Sequence, residues 1–104
     1  MSPPQQGEVW WAEAEDKRRP VLIVSRSEAA GYLSRIVVAP VTRSVRGIPT
    51  EIPLDRQHGM SASCCASFDN LQVIHRRALR NRIGELALDE RGEICRALSA
   101  VADC

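Results

Sequence analysis

Aromatic side chains are scarce: they make up 4% of the 104 residues, so whatever core the chain builds must rest on aliphatic packing. Charge of one sign is lacking as well. The 14 basic and 13 acidic residues leave a formal net charge of +1, which excludes a strong overall field drawing the protein to nucleic acid or to a membrane. Lysine is nearly absent. Lys17 stands alone, and every other cation is an arginine, clustered at Arg18, Arg19, Arg26, Arg35, Arg43 and Arg46 and again at Arg76, Arg77, Arg80 and Arg82. A neutral total thus leaves room for a locally basic face. The cysteines, Cys64, Cys65, Cys95 and Cys104, show no CxxC spacing, which argues against zinc. No apolar run approaches membrane-spanning length. Residues 1–6 have neither a charged nor an apolar signal region, and read as a flexible leader. The expected setting is cytoplasmic, with reduced thiols, no membrane, no metal and no other cofactor.

What the chain does contain is a series of short apolar runs separated by turns. Residues 7–13 read as a first strand, with Val9 and Trp11 on one face and Glu8 and Trp10 on the other, one tryptophan in the core and the other partly exposed. Val21 to Val24 form a second strand, apolar throughout and so buried on both faces or at an interface. Ser27 to Tyr32 reads as a loop with a short helical turn. Residues 35–42 make the third strand, in which Pro40 points to an edge or a bulge. A loop at 43–47, a short strand within 49–54, a turn at 55–59, a strand at 61–68 and an extended stretch at 71–74 follow. The segment from Arg76 to Ile83 reads as leading out of the sheet, and His58 and His75 read as turn or surface residues rather than bases.

The period then changes. Leu88, Cys95, Leu98 and Val101 or Ala102, with Ile94 beside them, fit one stripe of a helix over about 88–102, and Asp89 and Glu90 sit where negative charge favours its start. Five or six strands and one helix, without repeats or linkers, predict a single domain spanning 1–104, a strongly bent sheet or barrel packed on a terminal helix.

The stretch Asp16-Lys17-Arg18-Arg19-Pro20, running into Val21-Leu22-Ile23-Val24-Ser25, carries the most chemistry. It reads as a basic loop on a rigid base, because Pro20 fixes its own φ and biases Arg19 toward extended geometry. A guanidinium held this way suits a phosphodiester: its planar fork bonds two oxygens and its charge persists at any working pH. On spacing alone, a solvated charge run at a turn explains the stretch somewhat better.

Spacing relative to other motifs adds more. Gly7-Glu8-Val9-Trp10-Trp11, then Arg18 to Ser25, then Val38-Ala39-Pro40-Val41-Thr42, in that order, resemble the MazF/PemK family of toxin endoribonucleases. Gly59, Asp69-Asn70-Leu71-Gln72-Val73-Ile74, Ile83-Gly84-Glu85-Leu86 and the closing helix extend the resemblance to nearly the whole chain. It implies a mainly β fold with α, an SH3-like (PemK-type) small β-barrel with a C-terminal helix, forming a homodimer with an RNA groove at its interface. It also implies the toxin of a toxin-antitoxin system, a metal-independent, sequence-specific endoribonuclease of single-stranded RNA, blocked by a cognate antitoxin. The substrate that the resemblance implies is messenger RNA, with transfer or ribosomal RNA as alternatives. In the implied reaction the ribose 2′-hydroxyl attacks the adjacent phosphate and leaves a 2′,3′-cyclic phosphate and a 5′-hydroxyl; DNA, lacking that hydroxyl, is not cut.

Such an attack needs a base, a cation for the non-bridging oxygens and an acid for the leaving oxygen. The resemblance assigns three catalytic residues. Arg19 matches the family's catalytic arginine, Thr42 its hydroxyl residue at the end of the third strand, and Asp69 its acidic position. Asp69 either accepts the 2′-hydroxyl proton, bonds a base edge, or caps the turn with Asn70. Arg18 stands where some relatives carry histidine, which leaves the base open. Lys17, Arg18, Trp10, Arg43, Ser44, Arg46 and Asn70 are the expected substrate-binding residues, an outward tryptophan stacking on a base. The competing reading is a non-catalytic toxin similar to the CcdB gyrase poisons, which bind a protein target such as DNA gyrase.

Overall fold

Both faces of the first two strands are apolar in sequence, and the fold covers both. The computed structural model describes residues 3–14 and 16–103. Its strands are β1 (Glu8–Ala14), β2 (Lys17–Ile23), β3 (Arg35–Thr42), β4 (Glu51–Leu54), β5 (Cys64–Ser67), β6 (Gln72–His75) and β7 (Leu79–Glu85). They form one sheet in the order β4-β5-β3-β2-β1-β7, with β6 paired to β3. The sheet curls into a half-barrel against the C-terminal helix α2 (Gly92–Val101), while the short α1 (Ser27–Ala30) lies between β2 and β3.

Alternation divides the core in two. Val9, Leu22, Ala39 and Val41 point into a cluster with Ile52, Leu54, Phe68, Ile94 and Ala97, which lies under α2. Trp10, Ala12, Val21, Ile23, Ile36 and Val38 point the other way and pack with Ala30 of α1. The apolar run at 21–24 is therefore buried on both faces within one chain, and its burial requires no second copy.

Several sequence expectations change. The arginine-rich segment after Arg76 does not leave the sheet: Leu79–Glu85 pairs antiparallel with β1, its ladder interrupted by two register shifts that mask the pattern. This makes seven strands among the described residues instead of five or six. β3 is central rather than an edge. Its 35–38 half pairs with β6 and its 41–42 end with β5, so Ala39 and Pro40 fall where the partner changes, a place that tolerates the missing N–H of proline. On the helix, Ile94 and Ala97 are buried and Leu98 packs beside them, whereas Cys95 is exposed and Leu88 is 89% exposed. In the leader, Met1 and Ser2 lie outside the described residues, as does Cys104. Pro4 is buried, and Gln6 is tied down, its Nε2 donating to the Val24 carbonyl at 2.8 Å.

His58 is neither a surface residue nor free. It is 4% exposed; its Nδ1 accepts the Asp55 N–H at 3.1 Å and its Nε2 lies 2.9 Å from Glu90, joining the 55–59 turn to the segment that enters α2. That turn is pressed against β7. A Cβ on Gly84 would lie 2.1 Å from the His58 carbonyl oxygen, so only glycine fits there.

Candidate functional site

The basic stretch is strand, not loop. β1 and β2 pair from Val9↔Leu22 to Ala14↔Lys17, and Asp16 turns the hairpin with φ 64, a left-handed conformation that aspartate tolerates. Because the ladder reaches Lys17, the three cations occupy the exposed half of β2 while Val21, Leu22 and Ile23 bury the other half. Strand alternation then separates neighbours. Arg18 projects to the face of Trp11, where its guanidinium carbon sits 5.1 Å from the ring centroid and Nη2 donates to Asn81 Oδ1 at 3.0 Å. Arg19 projects to the other face, and its guanidinium has no hydrogen bond or ion pair among the described residues.

Arg19 lines a cleft of about 540 Å³. The end of β3 brings Pro40, Val41 and Thr42; the loop after it brings Arg43, Ser44 and Arg46; β4 opens with Glu51; and the end of β5 with its following turn brings Ser67, Asp69 and Asn70, with Gln72 from β6. Thr42 Oγ1 accepts the Ser44 N–H at 3.1 Å, which leaves its own proton to be donated. Asp69 Oδ2 accepts from the Thr50 hydroxyl at 2.7 Å, and Asn70 Nδ2 donates to Ser67 Oγ at 2.9 Å. Glu51 is buried, and its carboxylate accepts the N–H groups of Arg46 at 3.0 Å and Gly47 at 2.9 Å. Both cleft carboxylates are thus held by uncharged donors. The guanidiniums of Arg19, Arg43 and Arg46 have no ion-pair partner among the described residues. An arrangement of this kind faces an anion with several oxygens.

Two smaller hollows adjoin. Arg19 and Gln72 also border one of about 260 Å³ with Lys17, Ala12 and Ile74. Thr42 and Arg43 also border one of about 320 Å³ with Trp11, Pro20, Met60 and Cys64. The main cleft shares residues with each of the two, which share none with each other. Cys65 lies behind the main cleft, its thiol pushed up to about 11 by burial first and by Glu51 second, so it remains protonated and unreactive.

Of the expected site residues, Arg19, Thr42, Asp69, Arg43, Ser44, Arg46 and Asn70 meet in the main cleft, and Lys17 lines the hollow beside it. Trp10 does not belong with them. It is 4% exposed, with Nε1 donating to Glu8 Oε1 at 3.0 Å, because its face of β1 is the one that packs under α1; the outward tryptophan is Trp11. Arg18 borders none of these hollows. Sequence reasoning missed Glu51 and Gln72, since a glutamate opening a strand and a glutamine within one read as solvent-facing. No group of three or more His, Cys, Asp or Glu among the described residues gathers as a metal site.

A curled half-barrel with a terminal helix defines a compact β class, and its rim carries a cleft lined by arginines with no ion-pair partner among the described residues. The chain belongs to the family described as PemK-like, MazF-like toxin of type II toxin-antitoxin systems, whose pattern matches residues 5–102. It is 38% identical over 103 residues to the probable endoribonuclease MazF5 of Mycobacterium tuberculosis, covering 97% of this chain and 94% of that protein. The solved structure of the Mycobacterium tuberculosis toxin MazF-mt6 superposes with a TM-score of 0.85 at 34% identity, covering 92% of this chain and 96% of the other. A MazE-MazF structure from Deinococcus radiodurans superposes with a TM-score of 0.78 at 25% identity over 99% and 98% of the two chains.

Proposed function

We propose that this chain is the toxin endoribonuclease of a type II toxin-antitoxin system, cutting single-stranded RNA in the cytoplasm by internal attack of a ribose 2′-hydroxyl. The observation that carries the reading is the main cleft: three unpaired guanidiniums and an available hydroxyl face one space, while the carboxylates beside them are occupied by neutral donors. In this reading Arg19 and Thr42 hydrogen-bond the non-bridging oxygens of the scissile phosphate, where charge develops. Asp69 keeps Oδ1 to accept the 2′-hydroxyl proton as the 2′-oxygen bonds to phosphorus and the bond to the 5′-oxygen breaks. The leaving 5′-oxygen takes its proton from water in the open cleft, since arginine does not release its own. Arg43, Arg46, Ser44, Asn70 and Lys17 hold the flanking backbone, and Trp11 replaces Trp10 as the surface for a base.

The partner in this reading is a cognate antitoxin, as the pairing in the name of the Deinococcus radiodurans complex suggests. A homodimer belongs to the same reading, supported by the exposed apolar Tyr32, Leu33 and Val73. A gyrase poison is not favoured, because relatives at more than 30% identity carry the name endoribonuclease. The test is incubation of the purified chain with a long single-stranded RNA in excess EDTA, followed by end analysis. Fragments ending in 2′,3′-cyclic phosphate and 5′-hydroxyl are expected, and 3′-hydroxyl ends would overturn the mechanism.

A further inference from the structure

The loop between β3 and β4 carries Arg43 and Arg46 into the cleft that Arg19 already occupies, and like charges brought together repel. Among the described residues nothing in the cleft neutralises them by direct pairing. The compensation comes from behind. Glu51, 6% exposed, lies at the start of β4 on the face opposite Ile52 and Leu54, and its two oxygens accept the backbone N–H groups of Arg46 at 3.0 and 3.3 Å and of Gly47 at 2.9 Å. Gly47 has φ 70, so the loop doubles back over the carboxylate in a conformation that suits glycine. From the outer side Arg96 of α2 donates to the carbonyls of Pro49 at 2.6 Å and Glu51 at 3.1 Å. The loop is gripped by its main chain, and its guanidiniums stay free.

We propose that Glu51 is a positioning residue for RNA binding: an internal counter-ion that fixes the 43–47 backbone and so presents Arg43 and Arg46 to the phosphates of the strand. The proposal rests on the reading of the cleft as an RNA site. A guanidinium-paired glutamate would cancel a cation; a glutamate bonded to amides lowers the potential around the cations without occupying any of them. Both short bonds, from Arg46 and Gly47, end on Oε1, which the amide oxygen of a glutamine could replace; Glu51→Ala removes both acceptor oxygens and leaves the two N–H groups without them, so the grip is lost.

The experiment measures the affinity of the full chain for a short single-stranded 2′-O-methyl RNA, which cannot undergo internal attack, across a salt series. Each phosphate contact on a single strand contributes about 0.7 to the slope of log affinity against log salt, so at about 0.1 M salt one contact is worth about five-fold and two about twenty-five-fold. Glu51→Ala is expected to weaken binding by about five- to twenty-five-fold and to flatten the slope by about 0.7 to 1.4. Arg43→Ala with Arg46→Ala should give the same loss, and adding Glu51→Ala to that pair should change nothing further. On cleavable RNA, KM should rise by more than kcat falls. If wild type fails to bind RNA, the cleft reading falls and this proposal with it. Binding by wild type with an unchanged slope in Glu51→Ala, or a full additional loss on top of the arginine pair, overturns the role of Glu51 alone. Should Glu51→Ala fail to fold by circular dichroism, the arginine pair still decides: wild-type affinity and slope in that double variant overturns the proposal.

Discussion

The cleft and the flank where β1, β7 and the C-terminal segment meet employ the same residue types in opposite ways. On the flank Arg82, Arg91 and His58 each have an acid. Arg82 Nη1 lies 3.1 Å from Glu8 Oε2, while Glu8 Oε1 accepts from Trp10 Nε1 and from the Gln5 N–H. Arg91 reaches Glu85 at 3.4 Å and the Gln6 carbonyl at 3.0 Å, and His58 bonds Glu90. In the cleft, Glu51 and Asp69 are present but bonded to amides and a hydroxyl, and Arg19, Arg43 and Arg46 are left without them. Charges that close a fold are matched within the chain. Cations kept unmatched at the same rim cost mutual repulsion, and a polyanion relieves it.

The adjacent tryptophans test that contrast most severely, because Trp10 belongs to the packed side and Trp11 to the open one. Trp10→Ala should remove about 3–5 kcal/mol of folding stability, read as a lowered urea midpoint, since it empties the cluster under α1 and strips a hydrogen-bond partner from Glu8. Trp11→Ala should cost much less stability and instead weaken RNA binding, by about 1–3 kcal/mol if one base stacks there. Equal stability losses would erase the distinction between the two regions.

Arg18 and Arg19 sharpen it within a single strand. Arg19→Ala should slow RNA cleavage by about 10²–10³-fold, the usual cost of removing a donor from developing oxyanion charge, with an unchanged circular dichroism spectrum. Arg18→Ala breaks only the contacts with Trp11 and Asn81, so the rate should stay within a few-fold of wild type. A loss as large for Arg18 would place the chemistry on the Trp11 face of the sheet.

How much of this could be read in advance depends on whether a feature is local. The third strand, the turn at 55–59 and the terminal helix were readable because period and turn residues are written in neighbouring positions. β7 was not, since its arginine-rich strand is made by pairing with β1, some seventy residues earlier in the chain. Arg19, Thr42 and Asp69 came from family resemblance and the fold brings them to one cleft. Glu51 escaped notice because its burial is created by a loop folding back over it, which no pattern at 51–54 announces. Trp10 was misassigned for a related reason: two apolar faces leave alternation unable to say which one stays covered.

The smallest expected effect concerns the matched side. The Ala87 N–H, at 2.8 Å, and secondly His58 hold the Glu90 carboxyl below its ordinary value of 4.5. Because His58 Nδ1 accepts the Asp55 N–H, the ring proton sits on Nε2 and points to Glu90, with Asp55 Oδ1 the other acid nearby at 3.3 Å. A depressed carboxyl stabilises the fold above its unfolded value, and the contribution drains away as pH falls through the folded value. The window therefore opens near pH 4.5 and extends below it. The Glu90 side chain is 35% exposed, so solvent screening keeps the contribution under about 1 kcal/mol. Urea midpoints followed from pH 6 downward should show wild type losing stability relative to Glu90→Gln, the two curves converging once the pH is well below 4.5. Parallel curves would mean that the flank gains nothing from this charge, and that the contrast with the cleft lies in packing alone.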